Sequence, residues 1–215
     1  EEYDATMISS GARLSKKVYC DNERPEITGY WGAIDFLDRI NLYVKFGIKL
    51  TEPQKKEYAI DADFVDLTGK TVVCVGGGFT SMDVVRCSIR AGAARVIMVY
   101  RRDEKTIIRN TTYEEYHEAV EEGVEFIFHS AVAEMKDEDN ILKSLIIDKY
   151  ELVPDPDGGR DQLVKIEGAS EEIQVDYLIP AVSQAADLKF LPAEWELAMT
   201  SWGTLKTNGK DYMTS

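Results

Sequence analysis

The chain has 215 residues, of which 44% are hydrophobic, and carries a formal net charge of −14. This length can bury a substantial core, in one large domain or in one domain with a subdomain. A strongly acidic chain is repelled by nucleic acid and by anionic membranes, so neither is expected as a partner. No segment is long and apolar enough to span a bilayer and no signal peptide opens the chain, so we expect a cytoplasmic location.

The first 66 residues are predicted to lead into a main domain that spans residues 67–215. Residues 4–12 predict a short strand that runs into a turn of small residues, and residues 13–29 predict a loop. The chain starts at Glu1 instead of methionine, so we expect an excised part of a longer protein.

A helix is predicted where apolar residues recur at helical spacing, from residue 30 to residue 46, and it should end near Gly47. Residues 51–66 are charged and include a proline, which predicts a solvent-exposed connection.

The most informative segment begins with residues 71–75, a short apolar run typical of a strand buried on both faces. Three glycines follow at 76–78, and residues 79–91 show a helical pattern. Gly92 stands where a left-handed helix cap belongs, and a second apolar run covers 96–100. A strand, a glycine turn, a helix and a strand within about thirty residues form one βαβ unit. The fold class expected is α/β, with a Rossmann-type parallel sheet.

The spacing of Gly76, Gly78 and Ser81 matches the dinucleotide fingerprint G-x-G-x-x-G/A, with serine in the third position. Gly76 allows the sharp turn out of the strand, and the missing Cβ of Gly78 lets a pyrophosphate approach the backbone. Ser81 must be small because the helix packs against the strand there. Free N–H groups near Phe79 and Thr80 then face the phosphates. A glycine-rich turn without a ligand is the structural alternative.

The end of the second strand indicates which dinucleotide is bound. An NAD-binding unit usually carries Asp or Glu about twenty residues after the glycine turn. This chain has Tyr100, Arg101 and Arg102 there instead. Paired guanidinium groups bind a 2′-phosphate, so NADP(H) is favoured over NAD(H). Neutralisation of the two arginines by Asp103 and Glu104 is the alternative.

Further along, residues 103–110 predict a loop that contains Arg109, another candidate for the 2′-phosphate. The run Thr-Thr-Tyr-Glu at 111–114 predicts a capping box. The helix that follows should end at Gly123, and residues 124–128 predict the third parallel strand.

Between about 131 and 178, apolar runs alternate with turn residues and predict an antiparallel β-meander inserted into the α/β unit. The last strand should rejoin the parallel sheet. Since ligands bind open sheets at the carboxyl ends of their strands, Ser183 and Gln184 are candidates to face the nicotinamide. The expected strands are 132–136, 142–152, 163–166 and 173–179.

Three cysteines, Cys20, Cys74 and Cys87, form no CxxC pair, and His117 and His129 lack metal-ligand spacing. Neither a disulfide-exchange site nor a metal site is expected. No side chain is assigned as a catalytic acid, base or nucleophile.

Together these motifs resemble the NADPH-binding domain of flavin-dependent oxidoreductases related to the glutamate synthase small subunit, a group that includes dihydropyrimidine dehydrogenase. The family's turn G-G-G-N-T-A-M-D corresponds to residues 76–83, its strand end Y-R-R to 100–102, and its E-E-G-V to 121–124. Residues 3–12 resemble its Y-D-A-x-x-x-A-T-G-A segment. Residues 212–215 resemble the segment before its terminal flavin-binding G-G-D.

The resemblance implies a flavoprotein with two dinucleotide-binding domains, which passes hydride from NADPH to FAD and on to iron–sulfur centres. Only one fingerprint is present, so the FAD site should be incomplete here. The implied partners are the FAD-binding domain of the same parent chain and an iron–sulfur or catalytic large subunit. A non-catalytic NADP(H)-binding module and a methyltransferase are the alternatives, and the basic strand end argues against the methyltransferase. The predicted coenzyme-binding residues are Gly76, Gly77, Gly78, Phe79, Thr80, Ser81, Tyr100, Arg101, Arg102, Arg109, Ser183 and Gln184.

Overall fold

The structure is a computed structural model. The part of the chain that it describes contains three β-sheets and five α-helices. It describes residues 5–46 (42–46 as backbone only), 51–57, 66–156, 158–159, 161–210 and 213–214. In chain order the elements are β1 (Leu14–Ser15), α1 (Ala33–Phe46), α2 (Glu52–Glu57), β2 (Thr71–Val75), α3 (Phe79–Arg90), β3 (Arg95–Val99), α4 (Glu104–Asn110), α5 (Tyr113–Glu121), β4 (Glu125–Ile127), β5 (Ser130–Glu138), β6 (Ile141–Val153), β7 (Gln162–Gln174), β8 (Tyr177–Pro180), β9 (Gln184–Ala185) and a 3₁₀-helix (Ala193–Trp195).

The central sheet is parallel, with strand order β4-β3-β2-β8. Its central strand β2 is buried on both faces. Val72 and Cys74 pack into a cluster with α1 and α3, whereas Val73 and Val75 pack into a cluster with the antiparallel strands. Burial on both faces explains why the strand is an uninterrupted apolar run. The predicted Rossmann-type fold class is confirmed.

The predicted βαβ unit agrees closely with the structure. Strand β2 has the predicted bounds, α3 ends one residue earlier than expected, and β3 is shifted by one residue. Gly92 has φ +90° and Gly123 has φ +95°, so both take the left-handed conformation that a helix-ending glycine provides. Strand β4 lies within the expected strand at 124–128.

The predicted meander forms a separate three-stranded antiparallel sheet, β5-β6-β7, on the opposite face of the parallel sheet from α1 and α3. Two of its predicted strands were wrong. The expected strands at 163–166 and 173–179 are replaced by one continuous strand, β7, and by β8, which pairs with β2 as expected. The chain changes sheets at Asp176, whose carboxylate accepts the Thr71 N–H at 2.9 Å.

The predicted loop at 103–110 was also wrong, because α4 forms there. The Asp103 carboxylate accepts the Thr106 N–H at 2.9 Å and so caps the helix. The predicted capping feature of α5 is present but shifted by one residue, since Thr112 accepts the Glu115 N–H at 3.1 Å. Thr111 instead donates its hydroxyl to the Ile107 carbonyl at the end of α4.

The N-terminal part differs from the prediction in two places. The expected strand at 4–12 does not form over its described residues, 5–12. Instead, β1 pairs antiparallel with β9. The helix α1 begins at Ala33 instead of residue 30, because the Trp31 N–H donates to Leu178 of β8. Its expected end at Gly47 lies outside the described residues.

In the expected connection at 51–66, α2 forms, and residues 58–65 lie outside the described part. The division of the chain between residues 66 and 67 stays a prediction. Within the described residues, no helix combines the length and the apolar character needed to cross a bilayer.

Candidate functional site

Two neighbouring cavities open where the strands β8, β2 and β3 end. The larger has a volume of about 770 Å³ and the smaller about 500 Å³, and both are lined by Gly78 and Ala181. The larger lies against β5 and β6, and the smaller lies against β1, α1 and β9. Since carboxyl ends of parallel strands are where open α/β sheets bind ligands, this edge is the candidate site.

The three glycines of the turn have three different surroundings. A Cβ on Gly76 would lie 2.6 Å from the carbonyl oxygen of Ala181, so this glycine lets the segment after β8 pack closely against the turn. A Cβ on Gly77 would overlap the ring of Tyr100. A Cβ on Gly78 would meet no atom within 4 Å, and this residue borders both cavities. Gly78 therefore leaves the open space that a ligand approaching the backbone needs.

The start of α3 offers backbone N–H groups as hydrogen-bond donors to a ligand. Within the described part of the chain, the N–H groups of Gly77, Phe79 and Thr80 have no acceptor. The Ser81 hydroxyl accepts the Gly78 N–H at 2.8 Å and donates to the Gly78 carbonyl at 2.6 Å. Ser81 is fully buried against β2, which explains why a small residue is needed at this position. Its hydrogen bonds with Gly78 at the start of the helix are an additional role. The unpaired N–H groups and the positive end of the helix dipole suit an anionic group.

Of the two arginines predicted to bind the 2′-phosphate at the end of the second strand, only Arg101 lines the larger cavity. It is exposed and forms no ion pair with any described residue. Arg102 is partly buried and lines neither cavity, and its Nε is buried without a hydrogen-bond partner among the described residues. Neither Asp103 nor Glu104 forms an ion pair with these arginines. Hydrogen bonds from Thr106 hold the pKa of the Asp103 carboxyl below its ordinary value, and this carboxylate caps α4 instead.

Tyr100 and Asn110 form a polar pair on the wall of the larger cavity. The Asn110 amide donates to the Tyr100 hydroxyl at 3.1 Å, and the Tyr100 ring lies over Gly77. Arg109 is exposed in the last turn of α4 and lines neither cavity. The sequence pattern singled out Arg109 and missed Asn110, because the boundary of α4 decides which of the two faces the strands.

The smaller cavity contains Ser183 and Gln184, together with Phe79 and Thr80 from α3. Ser183 has φ +112°, a conformation that non-glycine residues rarely adopt. Gln184 pairs with Ser15 of β1, whose buried hydroxyl has no hydrogen-bond partner among the described residues. The structure thus brings the predicted glycine turn and the predicted residues after the last parallel strand, Ser183 and Gln184, together at one cavity.

Comparison with known proteins shows which family the chain belongs to. Residues 2–214 match the family described as pyridine nucleotide-disulphide oxidoreductase. The chain belongs to this family. A putative glutamate synthase [NADPH] small chain of Cereibacter sphaeroides is 36% identical over 223 residues, which cover 100% of this chain and 48% of the relative. The resemblance drawn from the motifs is confirmed.

Two solved structures share the fold of this chain. They are Mycobacterium tuberculosis FprA in complex with NADPH, with TM-score 0.58 and 16% identity, and T. acidophilum thioredoxin reductase, with TM-score 0.59 and 12% identity. The match covers 89% and 94% of this chain, and 52% and 51% of the two structures. The chain therefore spans about half the length of these proteins, and at such identities the likeness concerns the fold alone.

The family's description names disulphide chemistry, so the state of the three cysteines of this chain is relevant. Cys20, Cys74 and Cys87 are all free. Burial, with the nearby Glu23 carboxylate, raises the pKa of Cys20 to about 12, and burial also raises the pKa of Cys74 and of Cys87. High thiol pKa values oppose thiolate chemistry. Across the described ranges, no His, Cys, Asp or Glu cluster could hold a metal ion.

Proposed function

We propose that this chain binds NADP(H) across the carboxyl ends of β8, β2 and β3 and orients its nicotinamide toward a flavin held mostly outside this chain. The observation that carries the proposal is the start of α3. There, three backbone N–H groups that have no acceptor among the described residues lie within two residues of Gly78, where a Cβ would meet no atom within 4 Å. Such a site suits a pyrophosphate, because its oxygens can accept those donors and its charge interacts favourably with the helix dipole.

The two cavities support a proposed arrangement in which each holds one half of the dinucleotide. A pyrophosphate at Gly78 would lie where the cavities meet. The adenosine half would then occupy the larger cavity, with its 2′-phosphate near Arg101. The nicotinamide half would occupy the smaller cavity, near Ser183 and Gln184. Arg102 and Arg109 remain proposed contributors to the positive charge at the 2′-phosphate, although neither lines a cavity.

The reduced coenzyme, when bound, supplies the hydride. The described residues hold and orient it, and none of them is assigned a proton-transfer role. The fully buried Ser81 fixes the start of α3, and Tyr100 with Asn110 fixes the wall beside Gly77. The names of the Cereibacter relative and of the FprA complex both contain NADPH, which supports the choice of coenzyme.

The proposed partner is the FAD-binding domain of the same parent chain. It is supported by the extra length of the relatives, about half of which lies outside the matched region. An iron–sulfur or catalytic large subunit is a further proposed partner, suggested by the name of the Cereibacter protein, which calls it a small chain. We also propose a cytoplasmic location.

Isothermal titration calorimetry with NADPH, NADH and S-adenosylmethionine tests the binding proposal. NADPH should bind more tightly than NADH, and S-adenosylmethionine should not bind. Replacing Arg101 and Arg102 together with alanine should weaken NADPH by about tenfold or more for each arginine that binds the 2′-phosphate, and leave NADH nearly unchanged. An equal reduction in affinity for both coenzymes would contradict the assignment of the 2′-phosphate.

Hydride delivery needs a second experiment, because a protein that only binds NADPH would give the same calorimetric result. The FAD-loaded parent protein is mixed rapidly with NADPH under anaerobic conditions, and flavin absorbance is followed. Bleaching of the flavin supports hydride delivery. Tight NADPH binding without bleaching would make the chain a non-catalytic binding module.

A further inference from the structure

We propose that Lys16 and Lys17 form a second, cationic wall of this site and contact the pyrophosphate of the dinucleotide from the side opposite α3. The inference rests on the proposed function. It assigns a coenzyme-binding role to the segment before α1, for which sequence patterns predict only a loop.

The backbone of this segment crosses the strand ends. At one end, the Lys16 N–H donates to the carbonyl of Ser183, just beyond β8, at 3.2 Å. At the other end, the Asp21 N–H donates to the carbonyl of Ala133 in β5 at 2.8 Å. Between these two anchors, residues 16–19 line the larger cavity. The segment therefore lies across the same edge of the sheet as the glycine turn.

One carboxylate holds the middle of the segment in place. Glu23 accepts the N–H groups of Val18 at 2.8 Å and Tyr19 at 2.7 Å, and it also accepts the Tyr30 hydroxyl at 2.6 Å. Tyr19 has φ +66°, so the chain turns sharply there. Because two hydrogen bonds to Glu23 fix this turn and Tyr30 holds the Glu23 carboxylate, an ordered backbone presents the lysines to the cavity, which lowers the entropic cost of binding.

The charge around the larger cavity is opposite in sign to that of the chain. The chain has 39 acidic and 25 basic residues, yet the cavity is lined by three cations, Lys16, Lys17 and Arg101, and by no carboxylate of the described residues. None of the three forms an ion pair with a described residue. Lys17 also borders a neighbouring recess that contains Asp35, without pairing with it. Cations gathered around a cavity create a positive potential that attracts an anionic ligand.

The lysines and Arg101 lie at different positions along the strand ends, so we assign them to different phosphate groups of the dinucleotide. Arg101 follows β3, whereas Lys16 is bonded to the segment after β8, and β2 lies between these strands. Neighbouring strands are about 5 Å apart, so the two groups flank the glycine turn from opposite sides. Gly78 and Ala181, the residue that follows β8, line both cavities. The lysines therefore face the pyrophosphate, and Arg101 faces the 2′-phosphate.

Substitution of both lysines by glutamine, Lys16→Gln with Lys17→Gln, tests this assignment by calorimetry with NADPH, NADH and 2′-AMP. The last probe carries the 2′-phosphate but no pyrophosphate. The double variant should bind NADPH and NADH more weakly by the same factor, about tenfold or more, and bind 2′-AMP as the unmodified protein does. Arg101→Gln should give the opposite pattern, with weaker binding of NADPH and 2′-AMP but not of NADH.

The matched control is Lys206→Gln with Lys210→Gln, which makes the same change in net charge at exposed residues that line neither cavity. This control should retain both affinities, and circular dichroism checks that each variant is folded. Suppose that the unmodified protein binds NADPH, but the Lys16/Lys17 variant keeps both affinities as the control does, or loses affinity for NADPH and not for NADH. Either result overturns the pyrophosphate assignment, while the proposed function stands. If the unmodified protein binds none of the probes, both fail.

Discussion

Replacing Gly78 with alanine should greatly weaken coenzyme binding without unfolding the protein. The backbone there has φ −125° and ψ −177°, which alanine adopts freely, and its Cβ would meet no atom within 4 Å. As an N-cap, alanine stabilises a helix less than glycine does, by up to about 1 kcal/mol. Alanine also reduces the conformational entropy of the unfolded chain, which stabilises the folded state by about 0.4–1 kcal/mol and offsets this loss. The free energy of unfolding should therefore change by less than about 1 kcal/mol.

The cost to binding should be much larger. The new methyl group would stand in the space where the cavities meet, between a pyrophosphate and the N–H groups of Phe79 and Thr80, which have no acceptor among the described residues. Each charge-assisted hydrogen bond contributes about 1.5–3 kcal/mol, so losing two should weaken NADPH by about a hundredfold or more. NADH should be weakened by a similar factor, because both coenzymes share the pyrophosphate.

Gly76→Ala is the matched contrast, since its Cβ would lie 2.6 Å from the Ala181 carbonyl oxygen. Overpacking of this kind costs about 1–3 kcal/mol. For a chain of this size, that lowers Tm by about 2–12 °C, whereas Gly78→Ala should shift Tm by less than about 4 °C. Thermal unfolding by circular dichroism and calorimetry with NADPH measure both variants. A Gly78→Ala protein that binds NADPH like the unmodified protein would refute the reasoning.

Three further predictions concern stability and reactivity. Iodoacetamide at mildly alkaline pH should label Cys20 only after unfolding, because burial raises its pKa to about 12, and mass spectrometry counts the adducts. Arg86 pairs with three carboxylates on α5 and at its end, so Arg86→Met should lower the free energy of unfolding by about 1–3 kcal/mol in urea titrations. The Arg95 guanidinium lowers the pKa of Glu125, so this carboxylate stabilises the fold above its unfolded pKa, and the contribution is lost as pH falls through the folded pKa. Glu125→Gln should therefore be destabilising at neutral pH, by less than about 1 kcal/mol, and neutral in strong acid.

The parts of the fold that the sequence predicts well are those encoded locally. The apolar run of β2, the glycine turn and the periodicity of α3 lie within neighbouring residues, and their predicted bounds agree with the structure to within one residue. The loop predicted over α4 was wrong because a seven-residue helix has little periodicity, and its signal, the Asp103 cap, was interpreted as a neutralising charge. The single strand β7 was divided in two for a similar reason, since polar residues interrupt its apolar pattern.

The candidate site was harder to predict, because its walls join distant parts of the chain. The hydrogen bond from Lys16 to Ser183 joins residues far apart in sequence, and no local pattern signals it. Sequence spacing likewise assigns equal weight to Arg101 and Arg102. The structure separates them, since only Arg101 lines the cavity, and that difference depends on how the chain leaves β3.

The most direct measurement is an NMR titration of the backbone amides with NADP⁺. The amide signals of Gly77, Phe79 and Thr80 should show the largest shifts, because their N–H groups gain phosphate oxygens as acceptors. Saturable binding that leaves these three signals unmoved would contradict a pyrophosphate at the start of α3.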